Sequence, residues 1–129
     1  MARQILKSPK LYAPKFRYSP CVKTGPLYSV SGMVALDPAT GQLVPGGPYA
    51  EAKQILQLLQ LGLPDWGLSL EHLVMARIFT TRMDHFMEIN KAWEEVFASV
   101  DPPARTSIGV AALPLGATVE MEFTLYKED

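Results

Sequence analysis

The chain has one cysteine, two histidines and a formal net charge of −1 over its 129 residues. Each scarcity removes a class of chemistry. With Cys21 alone, no intrachain disulfide can form, which fits a reducing compartment. His72 and His85 fall in different segments, with no carboxylate or cysteine at ligand spacing, so no metal centre is expected. The 12 Lys+Arg nearly balance the 13 Asp+Glu and form no basic run, so the electrostatic footprint of a nucleic-acid binder is missing. Nothing approaches the ~18 apolar residues that span a bilayer, and MARQILKSPK at the N-terminus lacks the apolar stretch of a signal peptide. The expectation is a cytoplasmic protein with no membrane or nucleic-acid partner. There is no internal repeat, no low-complexity tract and no glycine loop of the phosphate-cradling kind. Ser31-Gly32 is not a nucleophile elbow, because Ser29 rather than glycine stands two residues before Ser31.

What remains is the patterning of one α+β domain, residues 1–129. A chain of this size buries roughly two-thirds of its unfolded surface. The first 15 residues, with Pro9 and Pro14, read as a loose arm or short edge strand. Phe16 to Val22 and Pro26 to Ala35 read as two strands around Thr24-Gly25. Asp37 to Gly41 has the chemistry of a turn, and Pro45 to Pro48 reads as loop. Ala52, Ile55, Leu56, Leu59 and Leu63 follow helical spacing, broken near Pro64. Leu73 to Thr81 is a nearly continuous apolar run that fits a buried strand. Met83, Phe86, Ile89, Asn90, Trp93 and Phe97 give a second helix. The order is ββ-α-β-α-ββ.

The stretch from Pro102 to Phe123 is the most informative. Pro102 and Pro103 fix φ and hold the chain extended as it enters a strand. Arg105, Ser107 and Gly109 share one parity; Ala104, Ile108 and Val110 share the other. After a Leu-Pro-Leu-Gly break, Glu120, Glu122, Thr124 and Tyr126 face one way and Val119, Met121, Phe123 and Leu125 the other. An arginine suits a carboxylate ligand because its planar fork donates two parallel hydrogen bonds. The plainer alternative is an arginine and two glutamates on a solvated sheet face.

Pro103-Ala104-Arg105-Thr106, then Val110 to Pro114, then Val119-Glu120-Met121-Glu122, resembles the signature of the RidA/YjgF family. These are the enamine/imine deaminases long labelled endoribonuclease L-PSP. Tyr18-Ser19, Val30-Ser31-Gly32 and Leu36 to Gly41 are similar to the N-terminal half of that family, and Met83 to Phe86 through Asn90 to its second helix. The resemblance implies a chorismate-mutase-like fold: a mixed β-sheet with two helices packed on one face, assembled as a homotrimer with pockets between subunits. It implies hydrolysis of 2-imino acids and their enamine tautomers to 2-keto acids and ammonia, without a metal or cofactor. Arg105 would hold the substrate carboxylate and Glu120 would activate water. Tyr18, Ser31, Gly32, Asn90 and Ser107 would shape the pocket. Arg17, Pro20, Met33 and Ser107 depart from the common family residues; many members carry a pocket cysteine at the last position. Two other readings stay open: a non-catalytic trimer that binds keto acids, and an endoribonuclease or translation inhibitor.

Two geometric expectations follow from the residues. A two-residue hairpin turn at Thr24-Gly25 would set Tyr18 directly opposite Ser31. The short break after Leu113 would make the last two strands antiparallel neighbours, putting Arg105 and Glu120 at levels roughly 20 Å apart. One chain could not then bring both to a small ligand.

Overall fold

The computed structural model describes residues 2–129, which form one six-stranded sheet backed on one face by two helices. The strands are β1 (Gln4–Leu6), β2 (Cys21–Thr24), β3 (Leu27–Met33), β4 (Leu73–Thr80), β5 (Ala104–Gly109) and β6 (Val119–Tyr126). The helices are α1 (Gly47–Gly62) and α2 (Phe86–Val96). In the sheet the order is β1-β2-β3-β6-β4-β5, and only the β4–β5 pair is parallel. The mixed α+β sheet with both helices on one side is the expected architecture.

α1 starts inside the stretch expected to be loop. Pro48 occupies its first turn, where an N–H would have no intrahelical acceptor, so the proline costs nothing there. Ala52, Ile55, Leu56 and Leu59 are fully buried, as their spacing predicts. Truncating one such leucine to alanine would cost about 2–5 kcal/mol. Leu63 does not extend the helix. With Pro64 it begins a 3-10 turn ending at Trp66, although its side chain stays in the core. α2 presents Ile89, Ala92 and Trp93 to the same core, and the Trp93 and Phe97 rings stack 4.5 Å apart. Cys21 is fully buried among these apolar groups, and burial pushes its thiol up to about 12.

β4 corrects the expectation of a strand buried on both sides. Leu73, Ala76, Ile78 and Thr80 face the helices and are buried, whereas Val74 is exposed and Met75, Arg77 and Phe79 are half-buried. The second face of the sheet has no covering layer within the chain.

The N-terminal hairpin also differs from expectation. The central turn residues are Gly25 and Pro26, because Thr24 pairs with Leu27 and Cys21 with Val30. Gly25 adopts φ 58, the position a II′ turn reserves for glycine, and proline suits the negative φ that follows. The ladder is therefore shifted by two residues, and it ends at Cys21 rather than running back to Phe16. In this register Ser31 answers Pro20 rather than Tyr18: the Ser31 N–H donates to the Pro20 carbonyl at 3.0 Å.

One charged side chain lies in the core. Glu51 of α1 is 2 % exposed. Its carboxylate accepts the Thr118 N–H and the Thr118 hydroxyl, each at 2.8 Å, and the Val119 N–H at 3.4 Å. The Thr118 carbonyl in turn accepts from the Thr80 hydroxyl at 2.7 Å and the Thr81 N–H at 3.1 Å. Every polar group of Thr118 is thereby held, which fixes where β6 begins.

Candidate functional site

The candidate residues fall into two groups on opposite faces of the sheet. β5 and β6 are not neighbours, since β4 lies between them. Arg105 pairs with Ala76 of β4, whose side chain points to the helices, and Glu120 pairs with Phe79, whose side chain points to the open face. From Ala76 to Phe79 is three residues, so the two levels differ by about 10 Å rather than 20 Å. The separation across the sheet matters more. Within one chain, a small ligand on either face cannot touch both groups.

On the open face, a cleft of about 440 Å³ gathers Tyr18, Ser31, Gly32 and Glu120, together with Tyr12, Leu115 and Glu122. An irregularity in β3 creates this proximity. Val30 pairs with Phe123 but Met33 pairs with Met121, so β3 carries one extra residue there. Such a bulge re-aims side chains and is common beside functional sites. Gly32 lies against the glutamate: a Cβ on it would come within 3.0 Å of Glu120 Cδ and closer still to Oε2. The Ser31 hydroxyl donates to the Ser19 carbonyl at 2.5 Å, so its proton is committed to the backbone. Tyr18 and Ser31 line the same cleft, but not as the directly paired residues expected, since the β2–β3 ladder ends at Cys21.

The two glutamates of this face differ. Glu122 pairs with Arg77 across the β4–β6 ladder at 3.6 Å. Glu120 forms no ion pair or hydrogen bond among the described residues, and partial burial, then the charge of Glu122, raises its pKa above the usual carboxylate range. Burial first and Glu120 second raise Tyr18 as well. Tyr12, which sequence reasoning missed, stands beside them. Its hydroxyl donates to the Val34 carbonyl at 3.2 Å and accepts from the Val34 N–H at 3.3 Å. Burial is the main cause that pushes it up to about 12. Nothing local marks Tyr12, because it sits in a proline-rich arm without periodicity.

On the helix face, Arg105 projects from β5 toward α2. Its Nη1 donates to Asn90 Oδ1 at 2.9 Å. Its guanidinium lies over two rings, 5.1 Å from the centre of Trp93 and 5.5 Å from that of Phe86. Stacking and one hydrogen bond hold the plane of the fork, and Arg105 makes no ion pair among the described residues. Asn90 does not simply face solvent: it accepts from Arg105 and donates to Glu94 at 3.2 Å. Phe86, Asn90 and Trp93 sit at i, i+4 and i+7 of one helix face, a signal that the sequence held. Pro102 and Pro103 complete a shallow depression of about 350 Å³ around the arginine. Ser107 follows two positions along β5 on the same face, level with Ile78. Arg105, Asn90 and Ser107 therefore make one cluster, and Tyr18, Ser31, Gly32 and Glu120 the other.

A family model described as Endoribonuclease L-PSP matches residues 9–126. The 2-iminobutanoate/2-iminopropanoate deaminase of Mus musculus is 37% identical over 120 residues, covering 93% of this chain and 88% of that protein. A RutC family protein of Aquifex aeolicus (strain VF5) is 35% identical over 123 residues, covering 95% and 98%. The crystal structure of RidA from the Antarctic bacterium Psychrobacter sp. PAMC 21119 superposes with a TM-score of 0.90 at 32% identity, over 96% of this chain and 99% of that one.

Proposed function

Because the chain belongs to the RidA/YjgF family, described as endoribonuclease L-PSP, we propose that it hydrolyses reactive 2-imino acids and their enamine tautomers to 2-keto acids and ammonia. The observation that carries this reading is the split site. A stacked arginine without an acidic partner stands on one face and a glutamate of raised pKa on the other. Each is one half of what imine hydrolysis needs. Mammalian relatives bearing the deaminase name lend support at the level of the family.

The reaction asks for modest chemistry. Arg105 binds the substrate carboxylate through its free N–H groups. Glu120, ionised, takes a proton from water as the water oxygen bonds to the C=N carbon. Glu120 returns that proton to the imine nitrogen to give the carbinolamine. The carbinolamine hydroxyl proton then moves to the same nitrogen by way of the carboxylate, the C=O bond forms as the C–N bond breaks, and ammonia leaves the keto acid. Holding water and imine together contributes most, and the positioned carboxylate typically 10²–10⁴-fold. A raised pKa brings Glu120 closer to the working pH, which favours general-base action. Ser31 and Tyr18 would hold the water, and Ser107 and Asn90 the arginine side of the ligand.

Both halves can serve one ligand only if two chains share it. We assign the site to the boundary between subunits of a homotrimer, with Arg105 of the partner subunit closing the Glu120 cleft. The uncovered sheet face leaves room for such an assembly, with Ile108, Leu27 and Tyr126 exposed on it at 40%, 42% and 44%. Sedimentation at micromolar concentration should give three chains. The activity test is release of ammonia and keto acid from imines made in situ by an amino-acid oxidase. Arg105→Ala should abolish release with an unchanged circular dichroism spectrum. A folded variant that keeps full turnover would overturn the assignment.

A further inference from the structure

Resting on that reading, we propose that the Glu120 cleft selects imino acids with bulky apolar side chains, and that Leu115 and Phe16 set this selection. Leu115 is the one non-glycine residue with positive φ among those described, at φ 61 and ψ 21. A left-handed backbone is costly for a residue with a Cβ, and glycine or asparagine is the usual occupant. Core packing does not offset that cost, because the side chain is 44% exposed. It lines the cleft instead. Strain of this kind collects where a chain positions a side chain for a ligand.

The surroundings agree. Phe16, at 64% exposure, lines the same cleft. Beneath lies a small apolar cluster of Val34, Leu36 and Ala117, separate from the main core, with Leu113 packed against it. Val34 and Leu36 also reach the cleft. Its volume of about 440 Å³ falls in the range of pockets that enclose drug-sized ligands, roughly 300–1,000 Å³. A methyl or ethyl side chain would leave most of the apolar lining uncovered. Lys15 borders the cleft too, but its Nζ rests over the Asp37–Gly41 turn, 3.7 Å from where a Cβ on Gly41 would lie.

The test compares kcat/KM for imines generated in situ from alanine, leucine, phenylalanine and glutamate. Each added methylene in an apolar pocket is worth about 10- to 200-fold. The leucine-to-alanine ratio should therefore exceed about 10, and Leu115→Asn, which suits the left-handed backbone, should lower that ratio about 10-fold. Phe16→Ala should lower it as well, and neither change should lower the melting temperature. A ratio near unity, a ratio indifferent to both substitutions, or a preference for the glutamate-derived imine would overturn the proposal. Binding separates this failure from failure of the imine-hydrolase reading. If no imine turns over, calorimetric preference for 4-methyl-2-oxopentanoate over pyruvate, abolished in Leu115→Asn, upholds the selection. Turnover without any such preference removes the selection and keeps the hydrolase.

Discussion

Glu120 and Glu122 stand two residues apart on one strand face, yet their surroundings divide their roles. Glu122 has Arg77; Glu120 has partial burial and a like charge. Glu120→Gln should therefore lower kcat for imine hydrolysis about 10²-fold or more while changing keto-acid affinity little, whereas Glu122→Gln should leave kcat within a few-fold. Steady-state kinetics with product-binding calorimetry decides this, and equal losses at both positions would mean general electrostatics rather than a placed base. The raised pKa also fixes a sign in stability. A carboxyl whose folded pKa lies above its unfolded value binds more protons when folded between the two values. Ionising it thus disfavours the fold, and stability falls as pH rises through that window. Glu120→Gln should raise the melting temperature at pH 7, and the gain should vanish below the ordinary carboxyl pKa of about 4.3. Gly32 belongs to the same argument. Gly32→Ala would push a methyl into the Glu120 carboxylate, so turnover should fall with a smaller change in melting temperature.

At the scale of elements, period-two alternation was enough to sort Glu120 and Glu122 from Met121 and Phe123. Helical spacing likewise found the buried faces of α1 and α2. Pairing was less legible, because partner strands are chosen by non-local contacts. No local pattern shows that β4 enters between β5 and β6, and that entry turns Arg105 to the helix face. The hairpin slipped by two residues because the sign of φ at Gly25, not the composition of Thr24-Gly25-Pro26, chooses the central pair. Glu51 was illegible for a related reason. A glutamate in the first turns of a helix ordinarily faces water, and only the approach of Thr118 makes it a buried acceptor. Glu51→Leu leaves the half-buried Thr118 N–H and hydroxyl without their acceptor. It should destabilise the fold by about 2–5 kcal/mol in urea titrations, and Thr118→Val by about 1 kcal/mol. Nearly equal midpoints for Glu51→Leu and the parent would show that water or the hydroxyl rotor replaces the carboxylate.

At the scale of the whole molecule, the proposed function needs an assembly in which every subunit gives one half of the site and receives the other, because Arg105 and Glu120 lie on opposite faces of one sheet. This arrangement has a genetic signature. Arg105→Ala and Glu120→Gln chains should each be inactive alone. Denatured together in equal amounts and refolded, they should regain about a quarter of the parental activity, since random mixing in a closed ring gives that share of boundaries with both native groups. No recovery in mixed oligomers of normal size would place the two residues in separate functions.

Cys21 gives the molecule a different property, a silent thiol. With its pKa near 12, on the order of 10⁻⁵ of it is thiolate at neutral pH, and Ser107 leaves the arginine half-site without sulfur. Alkylating reagents should therefore leave the native protein unlabelled. They should react only when β1 and β3, whose Leu6 and Val30 both pair with Cys21, draw away from β2. The lone thiol is thus a built-in clock for opening of that end of the sheet. Its labelling rate by iodoacetamide, divided by the rate for a free thiol, reads the population of the opened state with no probe added to the chain.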